Sequence, residues 1–119
     1  MQVYRTFRFH AARSLPNLEE SHICKQLHGH TFNITIYVKG EIKDKTGFVV
    51  DFFDIDKIFN KKIMPLIDHK NLNSIDGLEN PTSENLCIWI WNKLINHIPN
   101  MLKIKLSEDH GTGIIYEGK

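Results

Sequence analysis

The densest chemistry in the chain lies in Cys24-Lys25-Gln26-Leu27-His28-Gly29-His30. His28 and His30 stand two residues apart where an alternating segment begins. In a strand, both imidazoles therefore project from one face, and two ring nitrogens on one face can converge on a metal at about 2.0–2.1 Å. Gly29 between them leaves room for close backbone approach. Surface histidines, or histidines held by carboxylates, are the plainer account of the same spacing. Cys24 lies just upstream. A thiol beside a metal or a cationic imidazole ionises readily and becomes a base or nucleophile. A lone cysteine otherwise serves as a small apolar residue, which is how Cys87 reads. Asp68-His69 offers a carboxylate-held imidazole, able to move protons near neutral pH. Pro81-Thr82-Ser83-Glu84-Asn85 is a helix start whose hydroxyls and free amides can also grip a polar ligand. Glu108, at a strand end, can accept two hydrogen bonds from an aminopyrimidine edge; taken alone it is a turn residue.

These residues need a scaffold. Residues 2–12 carry Val3, Tyr4, Phe7 and Phe9 and read as an opening strand. Residues 13–27 form a long loop with Pro16 and Asn17. Residues 30–41 alternate: Phe32, Ile34, Ile36 and Val38 face one side, Thr31, Asn33, Thr35 and Tyr37 the other. A turn at 43–47 leads to a short strand at 48–52. Asp54 caps a helix over 55–66, with Ile55, Ile58, Phe59, Ile63 and Leu66 at helical spacing. A loop follows at 70–82. Thr82 or Ser83 then caps a second helix at 83–98. Strands at 101–107 and 113–117 close the chain around a turn at 108–112. The order β-β-β-α-α-β-β predicts one α+β domain over residues 1–119. Its sheet is mainly antiparallel and carries both helices on one face. The other face must meet solvent or a partner.

Composition narrows the function classes. Fifteen Lys and Arg balance fourteen Asp and Glu, for a formal charge of +1. That gives no bulk argument for nucleic acid or an anionic membrane. No run approaches the ~20 apolar residues of a membrane span. Two cysteines, without a secretory signal at the start, fit a reduced, cytoplasmic protein. A thiol protease reading lacks an oxyanion hole or peptide cleft.

The order of the motifs is more specific than any one of them. Phe9 and Leu15-Pro16 come first, then Cys24 and His28-Gly29-His30, then Thr46-Gly47-Phe48-Val49-Val50-Asp51-Phe52. Asp68-His69 with Leu72-Asn73, Gly77-Leu78-Glu79-Asn80-Pro81-Thr82-Ser83-Glu84-Asn85, Ser107-Glu108 and Ile115-Tyr116-Glu117-Gly118 complete the series. This series resembles the 6-pyruvoyltetrahydropterin synthase family over nearly the whole chain. The Cys-x3-His-Gly-His spacing and the Gly77–Asn85 string look most like its 6-carboxytetrahydropterin synthase branch.

The resemblance implies the tunnelling fold (T-fold): a four-stranded antiparallel sheet with two helices on one face, joined with other copies into a barrel whose sites lie between subunits. It implies a homo-oligomer, a hexamer of two trimers. It implies the substrate 7,8-dihydroneopterin triphosphate and the products 6-carboxytetrahydropterin, acetaldehyde and triphosphate, in queuosine (preQ0) biosynthesis. Under it, His28 and His30 hold zinc, Cys24 is the catalytic thiol, and Asp68 and His69 relay protons. Glu108 anchors the pterin, and Thr82, Ser83 and Glu84 line its pocket. Biopterin-type elimination of triphosphate, and a pterin-binding oligomer without turnover, are the alternatives.

The chain departs from the family at one place. A third zinc histidine is expected two residues before the Leu-Pro, where this chain has Arg13. A guanidinium cannot ligate zinc. His10 is the candidate third ligand, three residues earlier and on the opposite face of a regular strand, so it needs a bulge or a strand end. His22 is another. One reading keeps zinc, with a displaced third ligand and Arg13 turned to the triphosphate. The other has zinc weak or absent.

Overall fold

The computed structural model describes residues 1–119. Two long strands form its centre. β1 (Gln2–Arg13) runs antiparallel to β2 (His28–Lys39) in an unbroken register from Gln2 opposite Lys39 to Arg13 opposite His28. Their alternation divides the residues cleanly. Phe7, Phe9, Ala11 and Arg13 of β1 are buried on the same face as Phe32, Ile34, Ile36 and Val38 of β2. The Phe9 and Phe32 rings stack at 5.1 Å and are fully buried. Each contributes roughly 1.5–3 kcal/mol of transfer free energy.

The helices cover that face. α1 (Phe52–Lys62) brings Ile55 and Phe59, the short α2 (Met64–Ile67) brings Ile67, and α3 (Ser83–Leu94) brings Leu86, Cys87, Ile90, Trp91 and Leu94. Asp51, not Asp54, caps α1, accepting from the Phe53 N–H at 2.9 Å. This start places Ile55, Phe59 and Ile63 four apart along the buried stripe. The first helix is also split, because Pro65 starts a new turn after Ile63. Thr82 caps α3, accepting from the Asn85 N–H at 3.1 Å; the helix ends at Leu94, short of the expected 98.

The sheet corrects the expectation of four antiparallel strands. It has five and is mixed, in the order β3-β1-β2-β4-β5. β3 (Lys70–Asn71) pairs in parallel with Ala11 and Ala12. β4 (Met101–Glu108) pairs with β2, and β5 (Gly113–Tyr116) with β4. Residues 48–52 form no strand: Val49 and Val50 lean on the core, and Phe52 already belongs to α1. The second face of the central sheet carries Tyr4, Thr6, Arg8 and His10 opposite Tyr37, Thr35, Asn33 and Thr31. Thr6 and Thr35 hydroxyls bond across it at 2.9 Å. No helix is long and apolar enough to cross a membrane.

Candidate active site

Strand phase decides which candidates meet. His28 and His30 continue the even, core-facing series of β2 beyond Phe32, at the start of the strand. Their ring centroids lie 4.5 Å apart. His28 Nδ1 sits 2.6 Å from the Gln26 carbonyl oxygen. A carbonyl only accepts, so Nδ1 carries the proton and Nε2 keeps the lone pair. His30 Nδ1 faces Glu108 Oε1 at 3.6 Å, while its Nε2 is buried without a partner. Burial, followed by the Arg13 charge, lowers the pKa of His30 below 6.5 against the opposing pull of Glu108, so the neutral ring predominates at pH 7. An imidazole held at Nδ1, as His28 is, and a neighbouring one with an unpartnered buried Nε2, as in His30, suit metal ligation. The pair thus fits a divalent metal.

Arg13 shares their face and stands opposite His28 in the register. It is only 5% exposed. An arginine can stay buried only when its donors are matched. Nη2 donates to Glu108 Oε1 at 2.5 Å, and Nη1 donates to the Pro81 carbonyl and to Ser83 Oγ, each at 3.1 Å. Nε has no partner. The guanidinium is therefore turned inward, not out toward a triphosphate. Glu108 Oε2 also accepts from Thr112 Oγ1 at 3.0 Å, and His110 Nε2 lies 3.3 Å from the same oxygen. His30, Glu108 and His110 form the one group of three metal-capable side chains whose ligand atoms lie within 4.8 Å of one another.

His10, the expected third ligand, stands apart from His28 and His30 in the chain. β1 stays regular to Arg13, so the His10 ring emerges on the opposite face and bonds Thr31 Oγ1 at 2.9 Å. His22 is spent as well, its Nδ1 accepting from the Cys24 N–H at 3.0 Å. Asp68 and His69 join His10. Asp68 Oδ1 accepts from the His10 N–H at 3.1 Å and Oδ2 faces His69 Nδ1 at 3.0 Å. The His10 backbone bond, more than the His69 contact, holds the Asp68 carboxyl below its usual range. His69 lies in the left-handed region, φ 58°, an uncommon state for a residue with a Cβ. Its side chain is 76% exposed.

Cys24 is half-buried in a short turn of 3-10 helix, Ile23–Lys25, pinned by the Leu15 N–H to its carbonyl at 2.8 Å. Its thiol is not among the converging metal donors. Thr82 is committed to the cap, Ser83 to Arg13, and Glu84 is exposed on the first turn of α3. An open cleft of about 520 Å³ runs over the end of β1 and β2, bordered by His10, Gly29, His30, Thr31 and His69. A Cβ on Gly29 would meet nothing within 4 Å, so glycine keeps the cleft floor bare. One participant escapes the sequence reading: His110, whose only signal is its place in the turn after Glu108. For Arg13 the sequence points to a triphosphate contact, although its phase with Phe7, Phe9 and Ala11 turns it into the core.

Comparison with known proteins places this geometry. A family model described as 6-pyruvoyl tetrahydropterin synthase matches residues 2–119. The chain is 41% identical over 81 residues to the dihydroneopterin monophosphate aldolase of Pyrococcus furiosus, covering 68% of this chain and 67% of that protein. It is 38% identical over 96 residues to the 6-carboxy-5,6,7,8-tetrahydropterin synthase of Synechocystis, covering 77% and 73%. Its fold superposes on that of Caenorhabditis elegans 6-pyruvoyl tetrahydropterin synthase with a TM-score of 0.90 at 23% identity, covering 100% and 96%. The chain belongs to the 6-pyruvoyl tetrahydropterin synthase family.

Proposed function

We propose that this chain is a zinc-dependent lyase of the 6-carboxytetrahydropterin synthase type. It converts 7,8-dihydroneopterin triphosphate and water to 6-carboxytetrahydropterin, acetaldehyde and triphosphate, a step of queuosine biosynthesis. The observation that carries the reading is the His28–His30 pair on one face of β2, with His28 Nδ1 held by the Gln26 carbonyl and His30 Nε2 buried without a partner. Zinc on these two rings would supply Lewis acidity toward the hydroxyls of the substrate side chain.

The chain supplies the rest. Cys24, as thiolate, takes a proton from the side-chain carbon, and His69, oriented by Asp68, moves a second. These proton shifts expel triphosphate, and the later carbon–carbon break releases the two-carbon fragment. Glu108 receives the aminopyrimidine edge on Oε2 when Thr112 and His110, both on the exposed β4–β5 turn, give way. Glu84 borders the pterin pocket, Ser83 holds Arg13, and Thr82 acts through the cap.

Cys24 in its loop and Asp68–His69 on the far sheet face belong to one site only when copies assemble. The exposed edges at β3 and β5 are where a homo-oligomer closes its barrel, as a hexamer of two trimers. The cytoplasm is the matching compartment for such an enzyme.

Product analysis tests the reading. Purified protein given 7,8-dihydroneopterin triphosphate should release acetaldehyde and triphosphate in equal amounts. Triphosphate without acetaldehyde would indicate biopterin-type elimination, and bound substrate without products a pterin-binding oligomer. The likeness to the Pyrococcus furiosus aldolase favours a second reading, aldol cleavage without elimination. That would yield a two-carbon fragment and no free triphosphate.

A further inference from the structure

The side chain that faces His28 across the sheet is a fixed cation. Arg13 leaves β1 on the same face as His28 and His30 and is buried among the groups around them. A metal on two imidazoles needs more donors to complete a tetrahedral shell. The converging trio His30, Glu108 and His110 leaves out His28, and Arg13 holds Glu108 Oε1 at 2.5 Å. His10 lies on the other face, and His22 caps a turn. Arg13 also cannot lose its charge. Its fixed charge, buried on the same face of the sheet, opposes a cation at those rings.

Building on the metal at His28 and His30 proposed above, we propose that Arg13 makes this a two-imidazole site whose remaining metal positions belong to the ligand. The metal then enters weakly alone and firmly only with an oxygen-rich chelating group, the vicinal hydroxyls of a pterin side chain. The Arg13 Nε–H is a buried donor left without a partner by the chain. Metal and ligand therefore load together, each raising the affinity of the other by the same factor.

Cobalt(II) uptake by the metal-free full-length chain tests this, read by visible absorption and by competition with a chromophoric chelator. Neopterin, which carries a vicinal triol, is the added ligand. The wild type should bind cobalt at least roughly tenfold more tightly with saturating neopterin than without. Arg13→His, which offers a third imidazole and removes the charge, should tighten binding of cobalt alone by roughly 10- to 100-fold and lose most of the neopterin effect. Arg13→Lys, which keeps the charge, should behave as wild type. Arg13→His leaves Glu108 without its partner, so the double variant Arg13→His with Glu108→Gln is measured beside it, with unfolding curves for all.

Wild type that keeps one metal per chain through dialysis against a chelator would overturn the proposal. So would folded His variants that bind cobalt no better than wild type, or a chain that binds none. The readout is metal uptake, so a protein inert in the product assay but with neopterin-coupled cobalt binding would sink the reaction and leave the role of Arg13 standing.

Discussion

The two ends of the candidate machinery differ in how far a single chain completes them. Around Glu108, one carboxylate with both oxygens occupied gathers Arg13, Thr112 and His110, and Arg13 is tied on to Ser83 and Pro81. Around His10, Asp68 and His69 form a small cluster on the other face, joined to the fold through backbone bonds and largely open to solvent. The first is built as core is built, with charge buried and matched. The second is presented at a sheet edge, its imidazole aimed outward. His69 is held by its backbone and left free at its tip, as the proposed role in another subunit's site requires.

That contrast sets the order of mutational effects. Arg13→Met leaves Glu108 buried and unpaired and should cost about 3–5 kcal/mol in urea unfolding. Adding Glu108→Gln should recover a large part, because the uncompensated charge is then gone. If Arg13→Met cost under about 1 kcal/mol, Glu108 would not be the buried hub described. Thr82→Ala removes the α3 cap and should cost about 1 kcal/mol.

At the edge, His69→Gly removes the ring from a residue whose φ suits glycine. Relief of the left-handed backbone offsets the lost exposed contact with Asp68, so stability should change by less than about 1 kcal/mol, while turnover is lost. The smallest effect is a pH dependence. The carboxyl of Asp68 is lowered from 3.8 chiefly by the His10 N–H, so the unfolded chain binds its proton first. The stability it adds is full above that ordinary value and fades as pH falls through the lowered one. The gap between wild type and Asp68→Asn should therefore narrow as the pH is taken down through this range.

Much of this was legible in the residues. The alternation of β1 and β2 placed Phe7, Phe9, Phe32 and Ile34 on one face and His28 with His30 at its end. The same parity correctly set His10 against Arg13. What escaped was decided by contacts distant in the chain. β3 exists because Asp68 and His69 dock on the backbone of His10, which no local pattern in Lys70-Asn71 announces. Residues 48–52 look strand-like by composition, but Val49 and Val50 pack on the core without a strand to pair with. Asp51 and Asp54 are equivalent caps by type, and only the burial of Ile55 and Phe59 chooses between them. An arginine at a core-phase position needs a carboxylate, yet sequence alone does not say that Glu108, ninety-five residues away, provides it.

The central claim is that Cys24 and His69 complete one site from different copies of the chain. Mixing Cys24→Ala chains with His69→Gly chains under conditions that exchange subunits tests it directly. Each variant alone should be inactive. Random hybrids should regain up to about one quarter of wild-type turnover, since that share of sites then draws both intact residues. Hybrids as inactive as their parents would show that both residues serve the same site from the same chain, and would contradict the account.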